Sequence, residues 1–189
     1  MTFIKGDLCE LRALDPEDEY QVCTFTEKVN AGLTTKFLFT GSIPCRTKDY
    51  QNRWIQELKA GDIPFGIWVK DQIIGDKMIG TCGLHDHKDV YRSWEFRILI
   101  YEPEFLGKGI GEEACRLTTG YAFHRLNAHR VWLGYNEENI GAGKCYEKVG
   151  YKREGSLRDA IFCYGKYVNA IRMSVLEEDW KSLSTAKAQ

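Results

Sequence analysis

The chain has 189 residues, 43% apolar and 13% aromatic, enough to enclose a proper core within one domain. Its 26 basic and 27 acidic residues nearly cancel, and no block of about five like charges occurs, which excludes the electrostatic footprint of a nucleic-acid binder. Seven scattered cysteines with no C-x-x-C pair exclude the usual thiol zinc and redox motifs, and no apolar run of about 18 residues offers a membrane span.

The opening Met1-Thr2-Phe3-Ile4-Lys5-Gly6 lacks a signal peptide's apolar stretch, so a soluble, cytoplasmic protein with reduced thiols is expected. Residues 8–14 read as a strand. Asp15-Pro16-Glu17 then reads as a helix start, with Asp15 as cap and Pro16 in the first turn, for a helix to about residue 30. A second helix over 48–60 places Tyr50, Trp54, Ile55 and Leu58 on one face. Three strands at 65–70, 78–84 and 94–101 follow, separated by turn signals at Gly75-Asp76 and His87-Lys88-Asp89, and predict an antiparallel meander.

Gly107-Lys108-Gly109-Ile110-Gly111 comes next and opens a helix to about residue 126. Glycines at alternate positions let the backbone turn sharply and gather N–H groups at the positive end of that helix, a geometry suited to a pyrophosphate. A dinucleotide fingerprint would need glycine where Glu112 stands, and a P-loop would need Ser or Thr where Gly109 follows Lys108, so neither fits. A plain strand-to-helix turn remains the structural alternative. The strand at 129–135 then completes a β-loop-α-β unit whose two strands should run parallel. A short helix at 140–149 ends at Gly150, a suitable left-handed cap, and strands at 151–157 and 167–176 close the domain.

The segment Asn139-Ile-Gly-Ala-Gly-Lys-Cys-Tyr146-Glu-Lys-Val-Gly150-Tyr151, with the glycine loop upstream, resembles the GNAT superfamily of N-acetyltransferases, nearest the branch of the ribosomal-protein N-terminal acetyltransferases. Residues 150–159, 165–176 and Trp180 look like that branch's C-terminal end. The resemblance implies a mixed α/β fold: a mostly antiparallel sheet of six to seven strands flanked by four helices and splayed where acetyl-CoA enters. Variable substrate helices would occupy about 14–60 and the acetyl-CoA-binding core about 65–180. Two positions depart from the pattern: Leu106 stands where the loop usually opens with Gln or Arg, and Asn169 where the branch often carries an acidic residue.

Acetyl transfer to an amine needs a fixed thioester, a polarised carbonyl, a deprotonated amine and a proton for the departing thiolate. The resemblance assigns acetyl-CoA to Leu99, Ile100 and Tyr101 on the splayed strand, to Leu106, Gly107, Lys108, Gly109, Ile110 and Gly111 in the loop, and to Asn139 and Lys144 on the short helix. Asn139 and Tyr146 lie two helical turns apart, on one face, so the amide can meet the cofactor arm while the phenol reaches sulfur. A neutral phenol near ~10 can protonate a thiolate near ~8.5 across a gap of roughly 2 kcal/mol. Glu95 resembles the strand glutamate of this branch and is the expected base, with His85 and His87 as rivals; His85-Asp86-His87 reads otherwise as a solvated turn. Cys145 has no evident His partner in sequence and reads as a small buried residue, so direct attack in a ternary complex is expected.

Deprotonating an α-amine near ~8 costs about 1 kcal/mol at pH 7, against roughly 4.6 kcal/mol for a lysine-like amine near ~10.4, which favours an α-amine or amino-sugar nitrogen. The expected acceptor is a peptide α-amine or a small-molecule amine. The alternatives are an aminoglycoside or nucleotide-linked amino sugar, admitted beneath Phe37, Phe39, Tyr50 and Trp54, or a non-catalytic acyl-CoA-binding module. No metal, nucleic acid or membrane partner is expected, and self-association into a homodimer is left open.

Overall fold

The computed structural model describes residues 3–15, 18, 21, 61–71, 75–163 and 165–186. Its strands are β1 (Phe3–Lys5), β2 (Glu10–Ala13), β3 (Ile63–Asp71), β4 (Gly75–Lys88), β5 (Ser93–Ile100), β6 (Arg130–Asn136), β7 (Lys152–Cys163) and β8 (Lys166–Leu176). They form one sheet in the order β1-β2-β3-β4-β5-β6-β8-β7. Every neighbouring pair is antiparallel except β5 and β6, which run parallel as a β-α-β crossover requires.

The described helices are α1 (Ile110–Arg125), α2 (Ile140–Val149) and α3 (Glu177–Ala186). Glu112 and Glu113 in the first turn of α1, and His124 and Arg125 in its last, complement the helix dipole. Asn139 caps α2 by accepting the Ala142 N–H at 3.1 Å, and Gly150 ends it at φ 112. Trp180 fastens α3 to α1, its ring stacked 5.7 Å from Phe123. The core lies between the helices and one sheet face, where Leu84, Phe96, Val131 and Leu133 meet Ala114, Cys115, Tyr146 and Val149. Alternation along the strands leaves His85, Glu95, Arg97 and Trp132 on the other face.

The sheet therefore has eight strands where six to seven were expected, because β1 pairs with β2 to form an extra N-terminal hairpin. The turn expected at His87-Lys88-Asp89 is corrected: β4 runs on to Lys88 because Asp86 takes φ 47, shifts the register, and lets the ladder resume at Lys88 opposite Ser93. His85-Asp86-His87 is accordingly strand, not a solvated turn. Gly75 pairs with Asp71 and opens β4. Helix α3 was not anticipated: its sequence is mostly polar, with Trp180 its single buried residue among those with assigned burial. The helix expected over 48–60, and nearly all of that expected over 15–30, lie outside the described residues, as do Phe37, Phe39, Tyr50 and Trp54.

Candidate active site

Strands β5 and β6 pair only at Ser93↔Arg130, Trp94↔Val131 and Glu95↔Trp132. Beyond Glu95 they part: β5 stays with β4 as far as Gly80↔Ile100, and β6 stays with β8 as far as Asn136↔Ala170. The Tyr101 N–H donates to the Ile79 carbonyl at 3.0 Å, which fixes the phase of the β4–β5 ladder. Hydrogen-bonded and open pairs alternate in an antiparallel ladder, so Leu99 also spends its backbone groups on β4, while Ile98 and Ile100 turn theirs into the gap. Ile100 and, on the same strand, Ile98 thus present main-chain groups there, whereas Leu99 and Tyr101 pair with β4. Tyr101 is buried, its hydroxyl donating to the Met78 carbonyl at 3.2 Å. The approach of β4 is tight: a Cβ on Gly80 would lie 2.4 Å from the Leu99 carbonyl oxygen.

The glycine loop sits at the end of this gap. Gly107 (φ 73) and Gly109 (φ 83) both occupy the left-handed region that penalises other residues, and Gly109 caps α1. No main-chain N–H from 107 to 112 donates to a described residue, so the loop and the first turn of α1 offer a run of open donors. Ile110 is buried, and Ile100 reaches the backbone beside Gly111. Leu106 is exposed, and the Lys108 ammonium lies over the Phe105 ring at 5.4 Å.

Tyr146 closes the gap on the helix face. Its ring meets Phe96 of β5 edge-on and Tyr135 of β6 at 5.6 Å, so it bridges the two strands just past their last pair. Its hydroxyl makes no hydrogen bond to a described residue, and burial pushes the phenol far up, which keeps it protonated. Gly143 leaves room for the Tyr135 hydroxyl, which a Cβ there would meet at 2.6 Å. Cys145 is held as a thiol, since burial, with smaller help from Glu112, pushes it up to about 11. Lys144 is exposed on α2. Asn169 is fully engaged in bridging, donating to Glu137 through both its amides and accepting the Asp159 N–H.

On the opposite face, Glu95 stands across from His85 of β4, and its carboxylate accepts from Arg97 at 2.6 Å. His85 donates Nδ1–H to the Asp62 carboxylate at 2.7 Å, since an ionised carboxylate can only accept. Asp62 was not singled out from the sequence; its role depends on β3 pairing Ile63 with Leu84, which sets it beside His85. His87 is drawn away, stacked on Trp94 at 4.0 Å.

The family model described as an acetyltransferase (GNAT) domain matches residues 9–152. Spermidine N(1)-acetyltransferase of Escherichia coli is 37% identical over 53% of this chain and 54% of that protein, so the chain spans about half the length of that relative. The probable N-acetyltransferase YjcK of Bacillus subtilis is 30% identical over 71% of each protein, and the putative ribosomal N-acetyltransferase YdaF of the same organism is 26% identical over 90% of this chain and 92% of its own. The crystal structure of spermidine N-acetyltransferase from Vibrio cholerae, in complex with CoA and spermine, is similar with a TM-score of 0.80 at 25% identity, covering 93% of this chain and 99% of that one. Since the family match runs from β2 through the parted strands and α2 to the start of β7, the chain belongs to the GNAT acetyltransferase family.

Proposed function

We propose that this protein is an N-acetyltransferase that moves acetyl from acetyl-CoA to a primary amine of a small polyamine-like acceptor by direct attack. The observation that carries the reading is the parting of β5 from β6 after Glu95, which leaves main-chain donors at Ile98 and Ile100 in line with the open amides of 107–112. A thioester arm laid along β5 as a substitute strand pairs with those groups, and its pyrophosphate rests on the glycine loop. A main-chain N–H of β5 then polarises the acetyl carbonyl. Lys108 and Lys144 add positive charge near the phosphates, and the amide of Asn139 left over from capping faces the arm. Tyr146 delivers a proton to the departing thiolate, and the amine approaches from the face of Glu95.

The acceptor class rests on the similarity to two spermidine N-acetyltransferases. A protein α-amine is the second reading, favoured by the longer match to the ribosomal-type relative. Thiol release from acetyl-CoA, followed with spermidine, spermine, a peptide with a free N-terminus and an aminoglycoside, separates them. The proposal expects kcat/KM for the polyamines to exceed that for the peptide at least tenfold. Peptide preference would install the second reading, and coenzyme A binding without thiol release for any amine would leave a non-catalytic acyl-CoA module.

A further inference from the structure

Deprotonating the acceptor is the costly step of such a transfer. At pH 7 an amine near ~10.4 is neutral in roughly one molecule in 2,500, whereas an α-amine near ~8 is neutral in about one in ten. A polyamine acetyltransferase therefore gains far more from a built-in proton acceptor than an α-amine acetyltransferase does.

We infer that His85, oriented by Asp62, is the group that takes the proton from the acceptor amine; the inference rests on the acetyl-transfer reading and deepens it. The Asp62 carboxylate holds Nδ1–H at 2.7 Å, and the tautomer this selects carries its lone pair on Nε2. Nε2 lies over Gly83, where a Cβ would approach it to 3.1 Å, so the missing side chain at 83 makes the hollow into which the imidazole points. Gly83 is in register with Arg97, two residues beyond the last β5–β6 pair, so Nε2 faces the level at which the strands have opened. Tyr146 reaches the same level from the helix face through Phe96. Proton acceptor and proton donor thus lie at the same level on opposite faces of the sheet, His85 one strand in from the gap with β5 between, which suits an amine arriving over the Glu95 face and a thiolate leaving toward the helix face.

Among the described residues, the charged groups facing His85 are Asp62, ahead of β3, and Glu95 and Arg97, on β5. Glu95 is tied to Arg97 at 2.6 Å, whereas Nε2 has no described partner. This replaces Glu95 as the base expected from the sequence; Glu95 instead borders the opening beside the incoming ammonium.

The ammonium gives one proton to Nε2, its freed lone pair forms the C–N bond to the acetyl carbon, and the C–S bond breaks with its electron pair leaving on sulfur. Tyr146 gives its hydroxyl proton to that sulfur, and the second proton lost by nitrogen restores the phenol through water. His85 returns its proton to solvent, so one proton is released per turnover.

The test compares wild type with His85→Gln, Asp62→Asn and Tyr146→Phe, measuring kcat/KM for spermidine between about pH 6.5 and 9.5, a range that crosses the α-amine value of ~8 and approaches the ~10.4 of a polyamine nitrogen, with coenzyme A affinity by calorimetry and melting temperature as controls. His85→Gln is expected to lower kcat/KM for spermidine about 100-fold at pH 7, with the deficit shrinking as pH rises and the amine deprotonates unaided. The deficit for a peptide α-amine should be about tenfold or less. Asp62→Asn, which keeps the side-chain shape, should lose part of the activity with the same pH trend and is the decisive variant where His85→Gln does not fold. An undiminished rate, or a deficit equal at both ends of the pH range and for both amines, would overturn the assignment while leaving acetyl transfer intact. Wild type inactive toward every amine would remove both.

Discussion

Tyr146 and Phe96 meet edge-on, with ring centroids 6.4 Å apart at an interplanar angle of 83°, and this contact carries the phenol from α2 across to the strand along which the thioester is proposed to lie. Removing only the hydroxyl keeps that packing. Tyr146→Phe is expected to lower kcat by about 100-fold or more while leaving the KM for acetyl-CoA and the melting temperature nearly unchanged. Steady-state kinetics alongside a thermal melt check this, and an equal fall in both parameters would mean that the residue only packs.

The glycine loop makes a different prediction. Gly109→Ala forces a residue with a Cβ to φ 83, costing roughly 1 kcal/mol, and brings that Cβ to 3.3 Å from Leu8. The loop's amides lose their common aim, so the KM for acetyl-CoA should rise about tenfold with a small change in kcat. Titration of coenzyme A by calorimetry reads the same effect without turnover.

Glu113 is the tie between the N-terminal hairpin and this loop. Its carboxylate accepts the N–H groups of Asp7 at 2.9 Å, Leu8 at 2.9 Å and Cys9 at 2.8 Å. Burial works to raise its pKa, but those backbone bonds outweigh burial and leave it lowered. Glu113→Ala leaves the three donors to find water or go unpaired, so a loss of about 2 kcal/mol is expected in urea unfolding. The same variant should loosen acetyl-CoA binding, since Leu8 packs beside Gly109.

Alkaline pH should erode stability with a definite onset. Burial pushes the Cys82 thiol from 9.0 up to about 12 and the Cys145 thiol up to about 11. Between pH 9 and those values the unfolded chain has released protons that the folded one still holds, so the unfolded state is favoured as pH rises. Fully enclosed Cys82 contributes a slope of about 1.4 kcal/mol per pH unit in that window and nothing below it. Urea midpoints at pH 8, 9 and 10 should be flat and then fall, and Cys82→Ala should reduce the slope whatever it does to the absolute stability.

How far the chain could be read in advance depended on whether the deciding information was local. The bounds of α2 were legible because Asn139 and Gly150 are chemical punctuation at its two ends. The parallel pairing of β5 and β6 followed from the crossover between them, and the placement of Tyr146 on the helix that Asn139 caps followed from their spacing. That Ile98 rather than Leu99 opens into the gap was not legible, because it depends on the phase of the ladder with β4, which no property of those apolar residues encodes. His85 stood in the sequence only as a rival to Glu95, and its pairing with Asp62 was hidden for the same reason, being made by the register between strands. Helix α3 was overlooked because Glu177, Glu178, Asp179 and Lys181 mask the single large anchor at Trp180.

With only three rungs joining β5 to β6, the sheet behaves as two slabs sharing a short weld. A guest strand would break no existing ladder on entering, so docking would be a completion of the sheet and would stiffen it. The amides of Ile98 and Ile100 should accordingly exchange deuterium rapidly in the free protein, despite lying in a strand, and slow sharply once coenzyme A fills the seam.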